Sequence, residues 1–331
     1  MEVTLSSSFI LEKFISILRQ IDLSWNRSGA WQDYQTAMRQ TLPNLEDLRS
    51  TDFQFLRLAL LPGLCCEGAG GQFEWADRVA AAWVLFYNSA HILDNVEDND
   101  PPDPCWSATD PGVAINAASG LIFSAYLCLQ QLFDNHVNRE LALRIIDDFS
   151  NTLLGMGSGQ HQDLREPNPG LESWLKVAGA KSGSFFALAC RAGSQLATDD
   201  PQRIQSFNNF GYHLGILLQL LDDIGDFKAL HQGDTPVQPE ALNRSMVVAY
   251  ALEVLPEEQN RRLLDTLAAI ADDPTAARDA IYLIDQCGAG LYLAIEIERQ
   301  RQSGLNALAA AAPQNGAGEK LTLLMTGLLE E

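Results

Sequence analysis

The sequence predicts an all-α fold, a single mostly antiparallel helical bundle that occupies residues 1–331 as one domain. Apolar residues recur at three- and four-residue spacing through most of the chain, which is the period of helices with one buried face. No stretch alternates apolar and polar residues as a half-buried strand does. With 331 residues, 47% of them hydrophobic, the chain is long enough to bury a sizeable core.

This periodicity predicts eleven helices. In chain order they are residues 8–20, 43–61, 74–96, 111–133, 138–158, 171–197, 203–228, 241–253, 258–271, 275–298 and 318–330. Clusters rich in Pro, Gly, Asp and Asn are predicted to separate several of them, because these residues interrupt helices or favour turns. Such clusters occur at 61–64, 99–104, 165–170, 198–201 and 231–239. The segment 309–318 is expected to be a mobile loop.

Charge excludes two classes of partner. The chain has 22 Lys and Arg residues against 43 Asp and Glu residues, a formal net charge of −21. This charge repels nucleic acid and anionic lipid headgroups, so we expect neither as a partner. No uninterrupted apolar run reaches the roughly 18 residues of a membrane span, and the N-terminus does not resemble a secretory signal. We therefore expect no membrane span and a cytoplasmic location.

The cysteines are predicted to be reduced thiols, mostly in the core. No two of them have the CxxC spacing of a zinc or redox site, and most have apolar neighbours in the sequence. They are Cys65, Cys66, Cys105, Cys128, Cys190 and Cys287.

An acidic segment, QLLDDIGD at 219–226, follows a long apolar stretch. On a helix, Asp222 and Asp226 project from one face one turn apart, with Asp223 beside them. Carboxylates on an apolar helix repel each other and lose hydration, whereas Mg²⁺ binds carboxylate oxygens and bridges them to substrate phosphates. The segment therefore predicts a Mg²⁺ site. The alternative is an acidic, solvated helix end, which the apolar flanking residues disfavour.

A second acidic segment, HILDNVED at 91–98, also follows an apolar stretch. Asp94 and Asp98 share one helix face, Asn95 lies beside them, and Glu97 points elsewhere. We predict a second metal-binding edge here. The alternative of an acidic helix end before a Pro-rich loop stays open, because Asn95 contributes no charge.

Four segments together resemble the motifs of the trans-isoprenyl diphosphate synthase (polyprenyl synthetase) family and of its terpene synthase relatives. QLLDDIGD is similar to the family's second aspartate-rich motif, and LDNVED resembles the first, with Asn95 in place of the middle Asp. GSGQHQDL at 157–164 resembles the GQxxDL segment, and KSGSFF at 181–186 resembles the KTGxLF segment. They occur in the family's order between about residues 50 and 250.

This resemblance implies a class I isoprenoid synthase bundle with a central active-site cavity. About three Mg²⁺ ions would hold the diphosphate of an allylic substrate between the two acidic motifs, and its C–O bond would ionise. A homodimer is also implied. The implied metal ligands are Asp94, Asp98, Asp163, Asp222 and Asp226, and the implied catalytic residues are Asp94, Asp98, Asp222, Asp223 and Asp226. The implied diphosphate ligands are Gln160, Lys181, Gln219, Lys228 and Arg244. The candidate pocket residues are Phe86, Tyr87, Ser89, Ala90 and Phe185.

The chain departs from the family where chain-elongating members bind a second diphosphate, isopentenyl diphosphate. Those members use the cations of a GKxxRP segment before the first motif and an RRG after it. Here Arg57 is the remaining cation, out of register, and no Lys or Arg occurs between Arg78 and Arg139. A bound dianion without cations is strongly disfavoured.

We therefore interpret the chain as a terpene synthase that ionises one prenyl diphosphate and cyclises or quenches the carbocation. In the family that the chain resembles, the bulk of the residues about one turn before the first motif sets the floor of the pocket for the prenyl chain. The small Ser89 and Ala90, about one turn before Asp94, therefore favour a C20 substrate over a C15 substrate.

Two alternatives stay open. One is a prenyltransferase, either chain-elongating or acting on a peptide side chain or small aromatic acceptor. The other is a non-catalytic subunit of a heteromeric prenyl synthase, against which the intact second motif and Lys181 argue.

Overall fold

The computed structural model describes residues 5–43, 45, 53–98, 110–134, 137–232, 242–270 and 273–328. Over these ranges the regular structure is α-helical, with short 3₁₀ and π turns and no strand, so the all-α prediction is confirmed. The helices are α1 (Ser7–Arg27), α2 (Gln32–Gln40), α3 (Phe53–Ala59), α4 (Leu61–Gly68), α5 (Asp77–Glu97), α6 (Pro111–Gln130), α7 (Arg139–Arg165), α8 (Leu171–Ala178), α9 (Ser184–Gln195), α10 (Pro201–Gln232), α11 (Met246–Val254), α12 (Glu257–Ala269), α13 (Pro274–Gln286), α14 (Ala289–Ala311) and α15 (Ala317–Gly327).

Two compact units make up the chain. Unit 1 comprises Met1–Asn151, Leu188–Asn209 and Ala307–Glu331, and unit 2 comprises Thr152–Ala187 and Phe210–Asn306. The assignment of residues 1–331 to one domain stays a prediction.

In unit 1, helix α5 is central to the packing. It packs against α6 along much of its length and against α1, and every residue from Val79 to Phe86 is buried. A helix that is apolar on all sides over such a stretch must be surrounded by other elements. The polar end of α5, which carries Asp94 and Asp98, is the part that emerges from this core.

In unit 2, a π turn (Gly179–Gly183) joins α8 to α9, where the sequence predicted one helix over 171–197. Helix α10 approaches this turn closely: a Cβ atom at Gly215 would overlap the carbonyl oxygen of Ser182. Helix α11 packs on α8 and α13, and α12 packs on α13.

Several predicted boundaries are wrong. The break predicted at 61–64 lies instead at Leu60, between α3 and α4. Pro62 itself is in the first turn of α4, where the missing N–H has no helical partner to lose. Helix α7 continues beyond 158 to Arg165, and the predicted helix 275–298 is divided at Gly288, whose φ is +77°. Helix α2 was missed, since its sequence is polar and Met38 is its one residue in the buried core. Residues 99–104 and 233–239 lie outside the described residues.

The predicted mobile loop at 309–318 is instead a tight turn between α14 and α15. Gly316 and Asn315 adopt positive φ angles of 73° and 57°. The Gln314 N–H donates a hydrogen bond to the carbonyl oxygen of Gly68 at the end of α4. This hydrogen bond holds the turn against the end of α4 within unit 1.

Cysteine burial agrees with the prediction for core thiols. Cys65, Cys66, Cys128 and Cys190 are buried, and Cys287 is half-buried. Cys105 lies outside the described residues.

One apolar helical segment bears on the membrane prediction. Among the described residues, Pro111–Asp134 is long and apolar enough to span a membrane. Its most apolar 18 residues have a mean hydropathy of 1.7, and half of this stretch is buried inside the protein. The bent pair of α13 and α14 passes the same test when taken together. Core helices of folded domains also have these properties, so the absence of a span stays a prediction.

Candidate active site

The second acidic motif lies in the last third of α10, and the helix continues beyond it to Gln232. Asp222 and Asp226 are exposed, whereas Asp223 is buried, with 7% of its surface exposed. Helical geometry places Asp222 and Asp226 on one face, as predicted. The exposed pair is therefore accessible to a cation from solvent.

The electrostatics of this pair favour cation binding. Surrounding protein atoms raise the pKa of Asp222 to about 6, and the negative charge of Asp226 contributes to the same shift. The side chain nevertheless reaches solvent, so it is recessed rather than enclosed. A divalent cation would offset the repulsion between the two carboxylates and replace their lost hydration.

Asp223 has different surroundings from its neighbours. Its Oδ2 accepts a hydrogen bond from the Met246 N–H at 2.6 Å, and Gln219 donates a second to the same carboxyl group. Burial, with smaller contributions from Asp222 and Asp226, raises its pKa to about 8. The predicted catalytic role of Asp223 stays a prediction, and its contacts are those of a group packed between α10 and α11.

A cationic cluster in unit 2 joins Asp163 and Lys181, from two of the predicted segments, with Arg244. Lys181 Nζ lies 2.9 Å from Asp163 Oδ2, and Arg244 Nη1 lies 4.0 Å from the same oxygen. The three side chains are 21%, 16% and 14% exposed. Two cations converge on one carboxylate here, within a strongly acidic chain, and such a cluster can bind an anion.

Local structure explains how these side chains meet. Lys181 lies in the π turn, a distortion that often occurs at functional sites. Gly159 lets α7 approach this turn, since a Cβ atom there would lie 2.9 Å from the Cβ of Ala180. Arg244 precedes the N-cap Ser245, whose hydroxyl donates to the Leu242 carbonyl and accepts from the Val248 N–H. These contacts fix the backbone beside both cations.

The other predicted diphosphate ligands are spread over α7 and α10. Gln160 is half-buried on α7, one turn before Asp163. Gln219 accepts a hydrogen bond from Ser182 Oγ at 3.2 Å, so its oxygen is used in helix packing. Lys228 is exposed on α10. Their roles as diphosphate ligands stay predictions, as does the role of Asp163 as a metal ligand.

In unit 1, the first acidic motif ends α5. Asp98 is the C-cap, its N–H donates to the Asp94 carbonyl at 2.9 Å, and both aspartates are half-buried. Carboxylates at a helix C-terminus face the negative end of the helix dipole, so a bound cation would stabilise them. Asn95 Nδ2 lies 3.4 Å from His91 Nε2, a neighbour that the sequence interpretation did not include.

Two predicted pocket residues on α5 are held by α6 and α7. The buried Phe86 ring packs edge-on against Tyr126 at 5.5 Å and tilted against Phe149 at 5.8 Å. The Ser89 hydroxyl donates to the Ala118 carbonyl at 3.0 Å. Tyr126 and Phe149 were not predicted, because nothing in their local sequence separates them from ordinary core residues.

The other predicted pocket residues differ in burial. Tyr87 is half-buried against Phe55 and Trp83, and Ala90 is half-buried. Phe185 is buried in unit 2, edge-on to Phe186.

The donor set fits Mg²⁺ completed by a substrate. Within the described ranges, no group of three or more His, Cys, Asp or Glu residues could hold a metal ion by itself. Mg²⁺ is usually bound by one or two carboxylates together with substrate phosphates and water. The exposed pair of Asp222 and Asp226 matches that arrangement.

Residues 57–284 match the model of a family described as polyprenyl synthetase. Among curated proteins, the chain is 28% identical over 178 residues to the geranylgeranyl diphosphate synthase of Mycobacterium tuberculosis. The matched region covers 52% of this chain and 49% of the relative. It is 27% identical over 187 residues to the tryptophan prenyltransferase ComQ of Bacillus subtilis subsp. natto, covering 54% and 56%. The chain thus spans about half the length of these relatives.

Solved structures resemble nearly the whole chain. The geranylgeranyl pyrophosphate synthetase of Pyrococcus horikoshii superposes with a TM-score of 0.78 at 20% identity, covering 98% of both chains. The polyprenyl synthase of Caulobacter crescentus, solved with calcium and isoprenyl diphosphate, gives 0.75 at 14% identity, covering 98% and 96%. At such identities the likeness supports the fold.

Proposed function

The chain belongs to the polyprenyl synthetase family and has its all-helical isoprenoid synthase fold, and from this premise we propose that it is a metal-dependent prenyltransferase that ionises an allylic prenyl diphosphate. One observation carries the proposal. Lys181 and Arg244 converge on Asp163 in the unit that also presents the exposed Asp222 and Asp226. A cationic cluster and a carboxylate pair are the two features that a metal–diphosphate complex requires.

In this proposal the cationic residues bind the diphosphate and the carboxylates bind Mg²⁺. Lys181 and Arg244 bind the oxygens of the diphosphate, and Asp163 orients Lys181. Asp222 and Asp226 are the proposed Mg²⁺ ligands of unit 2, and Asp94 and Asp98 those of unit 1. When bound, Mg²⁺ neutralises the charge that develops on the departing diphosphate. The allylic C–O bond breaks, the diphosphate leaves with the electron pair, and a nucleophile bonds to the carbocation and loses its proton.

We propose an acceptor without a diphosphate group. Residues 79–138 contain no Lys or Arg, so the segment around the first motif has no cation to pair with a second dianion. One relative bears the name tryptophan prenyltransferase, which supports an indole side chain as the acceptor class. The names of the relatives favour transfer over the cyclisation that the sequence first suggested.

Terpene synthesis is the second candidate, since the same missing cations favour a reaction with one substrate. The carbocation would then react with a double bond of its own chain or with water. The small residues Ser89 and Ala90 before Asp94 support a C20 substrate for either reaction.

Product analysis tests both candidates. The purified protein is incubated with Mg²⁺ and geranylgeranyl or farnesyl diphosphate, with and without a tryptophan-containing peptide, and products are analysed by mass spectrometry. We expect a prenylated peptide that forms only with Mg²⁺. A hydrocarbon or alcohol formed without peptide would instead establish the terpene synthase. Release of no diphosphate under any of these conditions would contradict both and leave a non-catalytic subunit.

We also propose a homodimer and a cytoplasmic location. Helix α6 exposes Ile115 and Phe123, the latter at 70%, which is an apolar face suited to a second copy of the chain.

A further inference from the structure

The diphosphate-binding cations lie beside a chain of hydrogen bonds that runs through unit 2. Ser182 Oγ donates to Gln219 Oε1 at 3.2 Å, and Gln219 donates to the carboxyl group of Asp223. Asp223 Oδ2 accepts the Met246 N–H at 2.6 Å. This chain begins at the residue after Lys181 and ends two residues after Arg244, so it connects the backbone segments of the two cations.

The side chains of the same two cations, Lys181 and Arg244, also meet at the carboxylate of Asp163. Lys181 Nζ is 2.9 Å and Arg244 Nη1 is 4.0 Å from Asp163 Oδ2. Side chains and backbone therefore form a closed ring through α7, the π turn, α10 and the start of α11. A ring of this kind restrains the separation of the two cations more strongly than either contact alone, because neither segment can move without breaking a hydrogen bond that is at least partly buried.

From this arrangement we infer that Asp223 and Gln219 are positioning residues that set the spacing of Lys181 and Arg244, and that Asp223 is not a metal ligand. The inference rests on the proposed function, whose metal ligands on this helix are Asp222 and Asp226. Asp223 is 7% exposed and directed at Met246, whereas those two residues are exposed. Buried carboxylates need such hydrogen bonds, and a metal would have to displace them.

Gln219 thereby takes a role different from that of a diphosphate ligand. Its oxygen and its amide group both contact protein, the first through Ser182 and the second through Asp223. It transmits the position of the π turn to the start of α11.

Kinetic measurements on three variants test the inference. Asp223→Ala and Gln219→Leu each break the ring, and Asp222→Ala is the matched control on the adjacent, exposed aspartate. We expect the two ring variants to raise KM for geranylgeranyl diphosphate about tenfold to a hundredfold, as misplaced binding groups do. The Mg²⁺ concentration for half-maximal activity should change less than about twofold, whereas Asp222→Ala should raise it at least about tenfold.

A double-mutant cycle adds a readout that a general loss of stability would not reproduce. If Asp223 acts through Arg244, Asp223→Ala should weaken substrate binding far less in an Arg244→Ala background than in the wild type. Gln219→Leu keeps the cycle interpretable if Asp223→Ala does not fold. Fully additive losses, or a Mg²⁺ requirement for Asp223→Ala that rises as in Asp222→Ala, would overturn the inference.

Binding of inorganic diphosphate with Mg²⁺, measured by calorimetry, separates this inference from the proposed function. A wild-type protein that binds inorganic diphosphate but turns over no prenyl diphosphate contradicts the function alone. The inference then depends on whether the ring variants weaken that binding by the expected factor at unchanged Mg²⁺ dependence, and equal binding by wild type and both ring variants would overturn it.

Discussion

Adjacent aspartates of the same motif have opposite environments, which shows how little residue identity alone determines. Asp222 is exposed with a pKa raised to about 6, and Asp223 is buried with a pKa raised to about 8. Helical spacing predicted which aspartates share a face. It did not predict the partner of Asp223, since the Met246 N–H comes from a helix start 23 residues away in sequence.

Removal of the exposed carboxylates should abolish metal-dependent turnover. We expect Asp222→Ala and Asp226→Ala to lower kcat by at least about a hundredfold, because each removes an oxygen ligand of the ion that stabilises the leaving group. Asp94→Ala and Asp98→Ala should also reduce it, and Asn95→Asp should be tolerated. Turnover is measured across a Mg²⁺ titration, with circular dichroism as the folding control. Full activity in EDTA would contradict the metal site.

A buried aspartate outside the site should make stability depend on pH. Asp77 is 5% exposed, and burial raises its pKa to about 6, although the Ser16 hydroxyl donates to it at 2.5 Å and Lys13 and Arg78 lie nearby. Its native pKa exceeds the unfolded value of about 3.9, so the native state binds the proton more tightly. The contribution of the protonated Asp77 to the free energy of unfolding is fully present below about pH 4 and is lost as pH rises through about 6.

Asp77→Asn removes this ionisation. At pH 7.5 we expect the variant to be more stable than the wild type by up to about 3 kcal/mol, at 1.36 kcal/mol per pKa unit, and the difference should shrink at pH 4.5. Urea unfolding at both pH values measures it, with Asp265→Asn, an exposed position on α12, as the control. An equal difference at the two pH values would contradict the assignment.

At the scale of helices, periodicity located most elements and failed where backbone geometry decides. The apolar pattern continues from α8 through the π turn into α9, so nothing in it indicates that the helix widens at Lys181. Pro62 was taken for a break because a proline inside a helix and a proline in its first turn look alike in sequence. Helix α2 has too few apolar residues for periodicity to detect it.

Close packing of α10 on the π turn gives a prediction at this scale. In Gly215→Ala the new methyl group would overlap the carbonyl oxygen of Ser182, which is backbone and has no rotamer to change. We expect a loss of about 1–3 kcal/mol in stability, as overpacking costs, and a loss of turnover because the turn carries Lys181. Gly225→Ala is the control, in open space on the same helix, and should stabilise by roughly 0.5–1 kcal/mol. Similar melting temperatures for both variants would show that the approach is not tight.

For the whole molecule, the sequence predicted the all-helical fold and the motif residues, and it did not predict how they are connected. Asp163, Lys181 and Arg244 come from separate segments, and the structure brings them within 4.0 Å of a shared oxygen. The motif resemblance indicated Lys181 clearly and Arg244 loosely. Contacts through backbone N–H groups, such as that of Met246, leave no signature in residue types, because every residue except proline has one.

The distribution of charge over the chain supports the final prediction, that isopentenyl diphosphate is not a substrate. Residues 79–138 carry no Lys or Arg. Charge-assisted hydrogen bonds contribute roughly 1.5–3 kcal/mol each, so the loss of three would weaken binding by more than about a thousandfold, at about 1.4 kcal/mol per tenfold. Radiolabelled isopentenyl diphosphate is offered with dimethylallyl, geranyl or farnesyl diphosphate and Mg²⁺, and we expect no label in longer prenyl diphosphates. A known geranylgeranyl diphosphate synthase serves as the positive control. Incorporation at a rate comparable to diphosphate release from the allylic substrate would make the protein a chain-elongating synthase, with the metal site and the cationic cluster unchanged.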